Sequence, residues 1–209
     1  MPKGVTKRRP ITVAALLDAA LALFAEQGFG ATSIAEICAR AGLTKGAYYS
    51  NFGDKDELFL ALFDREWTVR LERLRLALPS GGDPVATLSD PALLPSVVDE
   101  AERRWLLVSA EFGLHAVRRP ALARMLLEHE ARGRAALAAL LTEALAAAGR
   151  VPLLPVEDLT RLIVTVVEGE NLHTLTENAA GYAESTTARW ELVETLMNRL
   201  SAPGGDTDD

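Results

Sequence analysis

The chain has 209 residues, of which 49% are apolar, and a formal net charge of −7. Such an apolar share buries a substantial core, which excludes a disordered chain over most of the length. The single cysteine, Cys38, excludes an internal disulfide. No run of about 18 uninterrupted apolar residues appears, and no charged-then-apolar leader opens the sequence, so the expectation is a cytoplasmic protein without a membrane span. The charge is placed unevenly. Of 22 cations and 29 anions, six cations and three anions fall in residues 1–53, leaving 16 and 26 for the remainder. A basic head on an acidic body suits a protein that presents one end to phosphates.

Helical periodicity dominates, and no alternating strand pattern is found, so the fold is expected to be all-α. The first helix is expected after Pro10, with Thr12 as N-cap, Gly28 as its stop, and Leu16, Ala20 and Phe24 on one buried face. Ser33-x-x-Glu36 has the form of a capping box and opens a short second helix that turns Ile34 and Ile37 inward and ends near Ala41-Gly42. A third short helix runs from about Thr44 to Ser50. Two helices of about two turns joined by a glycine-containing turn make a helix-turn-helix pattern. Asp54 caps a fourth helix that runs through Phe59, Leu62, Phe63 and Trp67 to about Leu78. Residues 79–95, rich in proline and glycine, read as a loop. Helical patterns follow at 97–118, 120–148, 157–175 and 186–200. The glycine-rich, acidic tail 201–209 reads as disordered.

A recognition helix has to be short, stand proud of its domain and carry small or polar residues near its start, so that it fits a groove about 12 Å wide. Thr44, Lys45, Gly46 and Ala47 meet that need, and Lys45 can reach a base edge or a phosphate. Tyr48 and Tyr49 place two phenols on the same helix. Thr32 and Ser33 open the second helix, whose free N–H groups suit a phosphate, although simple capping explains them too. Lys55 is a cation in a first turn where the dipole prefers an acid, which favours a phosphate contact over a solvated lysine. Arg8 and Arg9 read as a basic arm or a frayed end, and Arg40 as a phosphate contact or a helix-end charge. Phe24, Phe52, Leu58 and Cys38 read as core.

Residues 9–58 closely resemble the DNA-binding region of the tetracycline-repressor (TetR) family. The match runs through Ile11, Ala19, Ala20, Phe24, Gly28, Phe29, Thr32, Ser33 and Ile37. It continues along the unbroken stretch from Ala41 to Tyr49, then through Phe52 and from Lys55 to Leu58. The resemblance implies an N-terminal three-helix head (1–53, with the arm) and a larger helical effector-binding and dimerising body (54–200), linked by helix 54–78 as a lever. It implies a homodimeric, ligand-responsive regulator of double-stranded operator DNA, most often a repressor released by a small molecule, with activation as the alternative. In the family the tyrosine matching Tyr49 touches the DNA backbone. Tyr48 stands where the family has an aliphatic residue, which favours inward packing.

The body itself says less. Trp105, Phe112, His115, Met125 and His129 are candidates for lining an effector cavity, with plain core packing as the competing reading. Glu168 and Glu170 lie in an otherwise apolar helix, and Glu170 is the candidate for facing a cationic ligand. Leu162, Val166, Trp190, Val193, Met197 and Leu200 are candidates for the dimer seam. No cofactor motif and no metal-ligand spacing is found. Glu111 with His115 is the single acid–base pair in sequence, without a third partner, so an enzyme is not expected. A helical adaptor with a vestigial helix-turn-helix is the remaining rival.

Overall fold

The computed structural model describes residues 8–77, 100–180 and 187–204. These residues form α1 (Arg8–Gln27), α2 (Ile34–Arg40), α3 (Lys45–Tyr49), α4 (Lys55–Ala77), α5 (Glu100–Val117), α6 (Pro120–Ala147), β1 (Arg150–Pro152), α7 (Val156–Ala179), α8 (Thr187–Leu200) and β2 (Ser201–Pro203). The all-helical expectation is met, with one small addition in the two short strands. The loop expected at 79–95 lies outside the described residues.

Two boundaries differ from the sequence reading. α1 begins at Arg8, ahead of Pro10, so Thr12 lies within the helix. A proline is tolerated there because the first-turn N–H groups have no intrahelical partner to lose. The start of the tail is ordered, because β2 pairs antiparallel with β1, Val151 opposite Ala202. Arg150 fastens the pair, its Nε donating to Ser201 Oγ at 3.0 Å and its Nη2 to the Ser201 carbonyl at 3.1 Å. Residues 205–209 lie outside the described part.

The chain gathers into two compact units, which do not divide at residue 53. The first comprises the described parts of Met1–Glu66 together with Arg104–His129; the second comprises those of Trp67–Arg103 with Glu130–Asp209. In the first unit Leu16, Ala20 and Phe24 of α1 are fully or nearly fully buried, with Ile37, Tyr48, Leu58, Phe59 and Phe112. Burial of each such side chain contributes about 1.5–3 kcal/mol. By length and composition alone α1 is apolar enough to cross a membrane; its apolar stripe is spent on this core. Phe59 stacks on Phe112 at 3.6 Å between ring centroids, and Phe29 meets Phe112 edge-on at 5.0 Å.

The second unit has its own core of Leu137, Leu141, Leu145, Leu159, Ile163, Val193 and Met197. Trp67 of α4 lies flat against Gly133 of α6, where an added Cβ would fall 2.6 Å from the indole. A glycine is needed here for closeness of approach. A cleft of about 330 Å³ opens between α4 and α6 in this unit, lined by Thr68, Leu71, Glu72, Arg75, Ala136, Ala139, Leu140 and Glu143.

Candidate nucleic-acid interface

The local rules expected of the helix-turn-helix are met in detail. Ser33 Oγ accepts from the Glu36 N–H at 3.2 Å, and Glu36 Oε2 accepts from the Ser33 N–H at 2.8 Å, completing the capping box. The Ser33 hydroxyl also donates to Glu36 Oε2 at 2.7 Å, and this bond, with the one from the Ser33 N–H, holds the Glu36 carboxyl below its usual value. Gly42, at φ +65°, takes the left-handed conformation that ends α2, and the following Leu43 N–H donates to the Cys38 carbonyl at 2.9 Å. Thr44 caps α3, accepting from the Ala47 N–H at 3.1 Å. Asp54 caps α4, accepting from the Glu57 N–H at 2.8 Å.

The start of α3 is the exposed edge of this assembly. Thr44, Lys45 and Gly46 are exposed, Ala47 is half-buried, and Tyr49 leaves 57% of its surface open. No side chain crowds Gly46, whose nearest neighbour is Thr44 Oγ1, 3.7 Å from the place a Cβ would take. Another molecule's surface can therefore approach the main chain here.

Three of the candidates for touching DNA are turned away from that edge. Tyr48 is fully buried, and its phenol donates to the Asp54 carbonyl at 2.8 Å. Burial pushes its hydroxyl well above the ordinary tyrosine value, so it stays a neutral donor. Packing is thus its role, with Phe52 at 5.8 Å and Tyr49 at 5.4 Å as ring neighbours. Thr32 is 2% exposed, and its hydroxyl donates to the Gly28 carbonyl at 2.8 Å, closing the α1–α2 turn. Lys55 bends inward: its ammonium donates to the carbonyls of Phe29 and Thr32 and lies 4.4 Å from the Phe29 ring centre. Desolvation lowers its pKa, an effect that nearby Asp56 and Glu111 oppose. A cation in the first turn of α4 is explained by these carbonyls, without a phosphate.

That same turn is gripped from its other side. Glu111 of α5 accepts from the Phe29 N–H at 2.8 Å and the Gly30 N–H at 3.3 Å. Gly28 has φ +89°, a conformation that favours glycine, and an added Cβ would stand 3.1 Å from Glu111 Oε1, a tight approach. Sequence reasoning missed Glu111 in this role because its partners lie 81 and 82 residues away. His115 is not poised beside Glu111 as an acid–base partner; its Nε2 accepts from Arg119 at 2.7 Å and lies 3.4 Å from Asp56. Arg40 pairs with Glu26, the helix-end reading of that residue. Arg9 donates through Nε to Asn51 Oδ1 at 3.2 Å. Cys38 is 3% exposed, and burial pushes its thiol up, as suits a core residue.

The cleft seen among the described residues is not lined by the residues proposed for an effector cavity. Trp105 and Phe112 are core, against Phe63 at 5.7 Å and Phe59 at 3.6 Å. His129 Nδ1 meets Asp64 at 2.6 Å, and Met125 is 44% exposed. Glu170 is half-buried on α7, and none of the six lines the cleft between α4 and α6. Glu168, the other acid of that stretch, is the one whose pKa rises, by desolvation and then by the nearby charge of Glu130. The dimer candidates also divide. Val193 and Met197 are fully buried in their own unit, and Val166 and Leu200 pack against the same cluster. Only part of the apolar arc of α8 is left over, because α7 and α6 already cover it. Leu162 stays 42% exposed, and the side chain of Trp190 lies outside the described residues.

An exposed, capped, five-residue helix on a rigid two-helix base defines the helix-turn-helix class. Comparison with known proteins points to the same class. Residues 16–62 match the family model of bacterial regulatory proteins, tetR family. AcrR, a transcriptional regulator of Shigella flexneri, is 38% identical over 95 residues, 44% of this chain and 44% of that protein. A transcriptional repressor of Mycobacterium tuberculosis is 45% identical over 74 residues, 35% of this chain and 37% of its own length. The chain thus spans less than half the length of either relative. Among solved structures, GusR of Salmonella enterica is 25% identical with a TM-score of 0.69, over 94% of this chain and 98% of that one. Residues 16–62 thus resemble the tetR family, and the chain shares its fold with GusR.

Proposed function

We propose that the chain is a dimeric, ligand-responsive regulator that binds double-stranded DNA through α3 and acts in the bacterial cytoplasm, most often as a repressor. The observation that carries the DNA-binding reading is the open edge of α3. Thr44, Lys45 and Gly46 are exposed on a helix whose opposite face, through Tyr48, is fully buried and bonded to the next turn. A wedge that is accessible at its tip and rigid at its base can enter a major groove without reorganising. The test uses duplexes that the protein itself selects from a random-sequence pool. Lys45→Ala and Tyr49→Ala should weaken binding, and Lys45→Ala should also reduce the salt slope by about one. A wild-type chain that retains no duplex above random DNA at physiological salt sinks the reading.

Dimerisation is supported by α7, where Leu162, Thr165, Gly169, Leu172 and Thr176 are all exposed at spacings of three and four. That is the seam pattern of helices packing side by side, and Gly169 has open space where a side chain would stand. Leu192 of α8 is a further exposed apolar residue, at 44%. The cleft between α4 and α6 is the effector site we favour. Its volume of about 330 Å³ lies in the small-molecule range, with Leu71, Leu140, Ala136 and Ala139 as apolar walls. Arg75 and Glu143 face each other at 3.5 Å across it, giving opposite charges to orient a ligand. Ligand binding would then act by shifting the population of head spacings.

A further inference from the structure

Lys55 was the cation expected to meet a phosphate at the start of α4, and it is committed to the carbonyls of Phe29 and Thr32. The structure brings other cations to that place from far along the chain. Within the first unit α5 runs antiparallel to the beginning of α4. Phe63 meets Trp105 at 5.7 Å, Phe59 meets Phe112 at 3.6 Å, and Asp56 meets His115 and Arg119, each at 3.4 Å. Walking toward the start of α4 therefore means walking toward the end of α5. The turn that follows α5 stands level with the first turn of α4, next to the helix-turn-helix. Its position is fixed, because Glu111 holds the α1–α2 turn and the His115 ring lies 4.9 Å from Phe29.

The charge of this turn is one-sided. Residues 115–124 contain Arg118, Arg119 and Arg124 and no acid, in a chain of net charge −7. Arg118 and Arg124 are exposed, and the side chain of Arg119 is 56% exposed. Both contacts of Arg119, to His115 and to Asp56, fall on the same nitrogen, Nη1. Nη2 and Nε, the edge that grips a phosphate in a fork, are left for another acceptor. The Asp56 contact is a long, partly exposed ion pair, easily exchanged for a phosphate oxygen.

We propose that Arg118 and Arg119 form a second phosphate-binding element, which extends the DNA interface beyond the helix-turn-helix and takes the place that Lys55 vacates. This rests on the DNA-binding reading above. A fork-shaped guanidinium at the flank of a recognition helix fixes register on the duplex and carries no base preference. Its effect should therefore be uniform across sequences.

The test measures the affinity of the full chain for duplexes it has selected from a random pool, over a salt series, with a scrambled duplex alongside. Arg118→Ala and Arg119→Ala should each weaken both duplexes about fivefold at low salt and lower the slope of log K against log salt by about one. Asp56→Asn, which frees Arg119, should bind as tightly as wild type or tighter, and Arg119→Lys should recover much of the slope. Arg119→Ala also removes contacts to His115 and Asp56, so a fall in its melting temperature would make its loss structural. Arg118→Ala, which loses no hydrogen bond or ion pair among the described residues, then decides. Wild-type affinity and slope in the Arg118→Ala/Arg119→Ala double variant, with Lys45→Ala still weakened, would overturn this inference alone. Failure of the wild-type chain to retain DNA would overturn both.

Discussion

Lys55 shows how a charged side chain is recruited by whichever acceptor lies nearest. Two carbonyls of the α1–α2 turn fall within reach of its ammonium, which also lies over the Phe29 ring. Lys55→Met keeps the stem and removes the donor, leaving both carbonyls without that partner. A loss of about 1–2 kcal/mol in stability is expected, scaled down from a buried charged bond because the site is partly open. Chemical denaturation reads this loss. The salt slope of DNA binding should stay at its wild-type value, whereas a slope lowered by about one would restore the phosphate role. Tyr48 follows the same logic with a neutral group. Burial next to Phe52 leaves its phenol one good acceptor, the Asp54 carbonyl, and that bond ties the end of the recognition helix to the cap of α4.

At the scale of elements, α2 is too short to persist by propensity, so its ends matter. Ser33→Ala removes half of the capping box and should cost about 1 kcal/mol, read in a thermal melt. The box also gives the head an acid limit. Its contacts to Ser33 hold Glu36 below the usual carboxylate value. The stability it contributes is therefore complete above the ordinary carboxylate range near pH 4.3 and is lost as pH falls through the lower, folded value. In Ser33→Ala that acid-side loss should shrink; an unchanged pH profile would show that the carboxylate contributes nothing. α6 depends on Gly133 in another way. An Ala there would set its methyl 2.6 Å from the Trp67 indole. Gly133→Ala should destabilise by about 1–3 kcal/mol despite the better helix propensity of alanine. A more stable variant would mean that the indole can move aside freely.

For the whole molecule, the proposed dimer needs a seam where two copies meet. The exposed stripe of α7 from Leu162 to Thr176 is the candidate seam, and Leu172 is its most open large residue, at 58%. Leu172→Glu should convert a dimer to a monomer in sedimentation, with the helical content retained, and should weaken DNA binding because one head alone engages a single half-site. A dimer that survives this change would move the seam elsewhere, α8 included. The charge division supports the same arrangement. The six cations and three anions of residues 1–53 favour approach of the head to a polyanion, while the remainder, with 16 cations and 26 anions, is acidic as a whole.

The sequence by itself determined what local rules govern: the capping box of α2, its glycine stop, the order of the helices and the open start of α3. These depend on residues within a few positions of each other, so their pattern survives in one dimension. Tertiary structure alone decided where the side chains of Lys55, Tyr48 and Thr32 point, how Glu111 of α5 reaches the α1–α2 turn and Arg119 just beyond α5 reaches the start of α4, and that Val193 and Met197 serve their own core. Such outcomes depend on which distant acceptor or apolar surface arrives first within bonding distance. Amphipathic periodicity tells that a face is covered, and only packing tells by what.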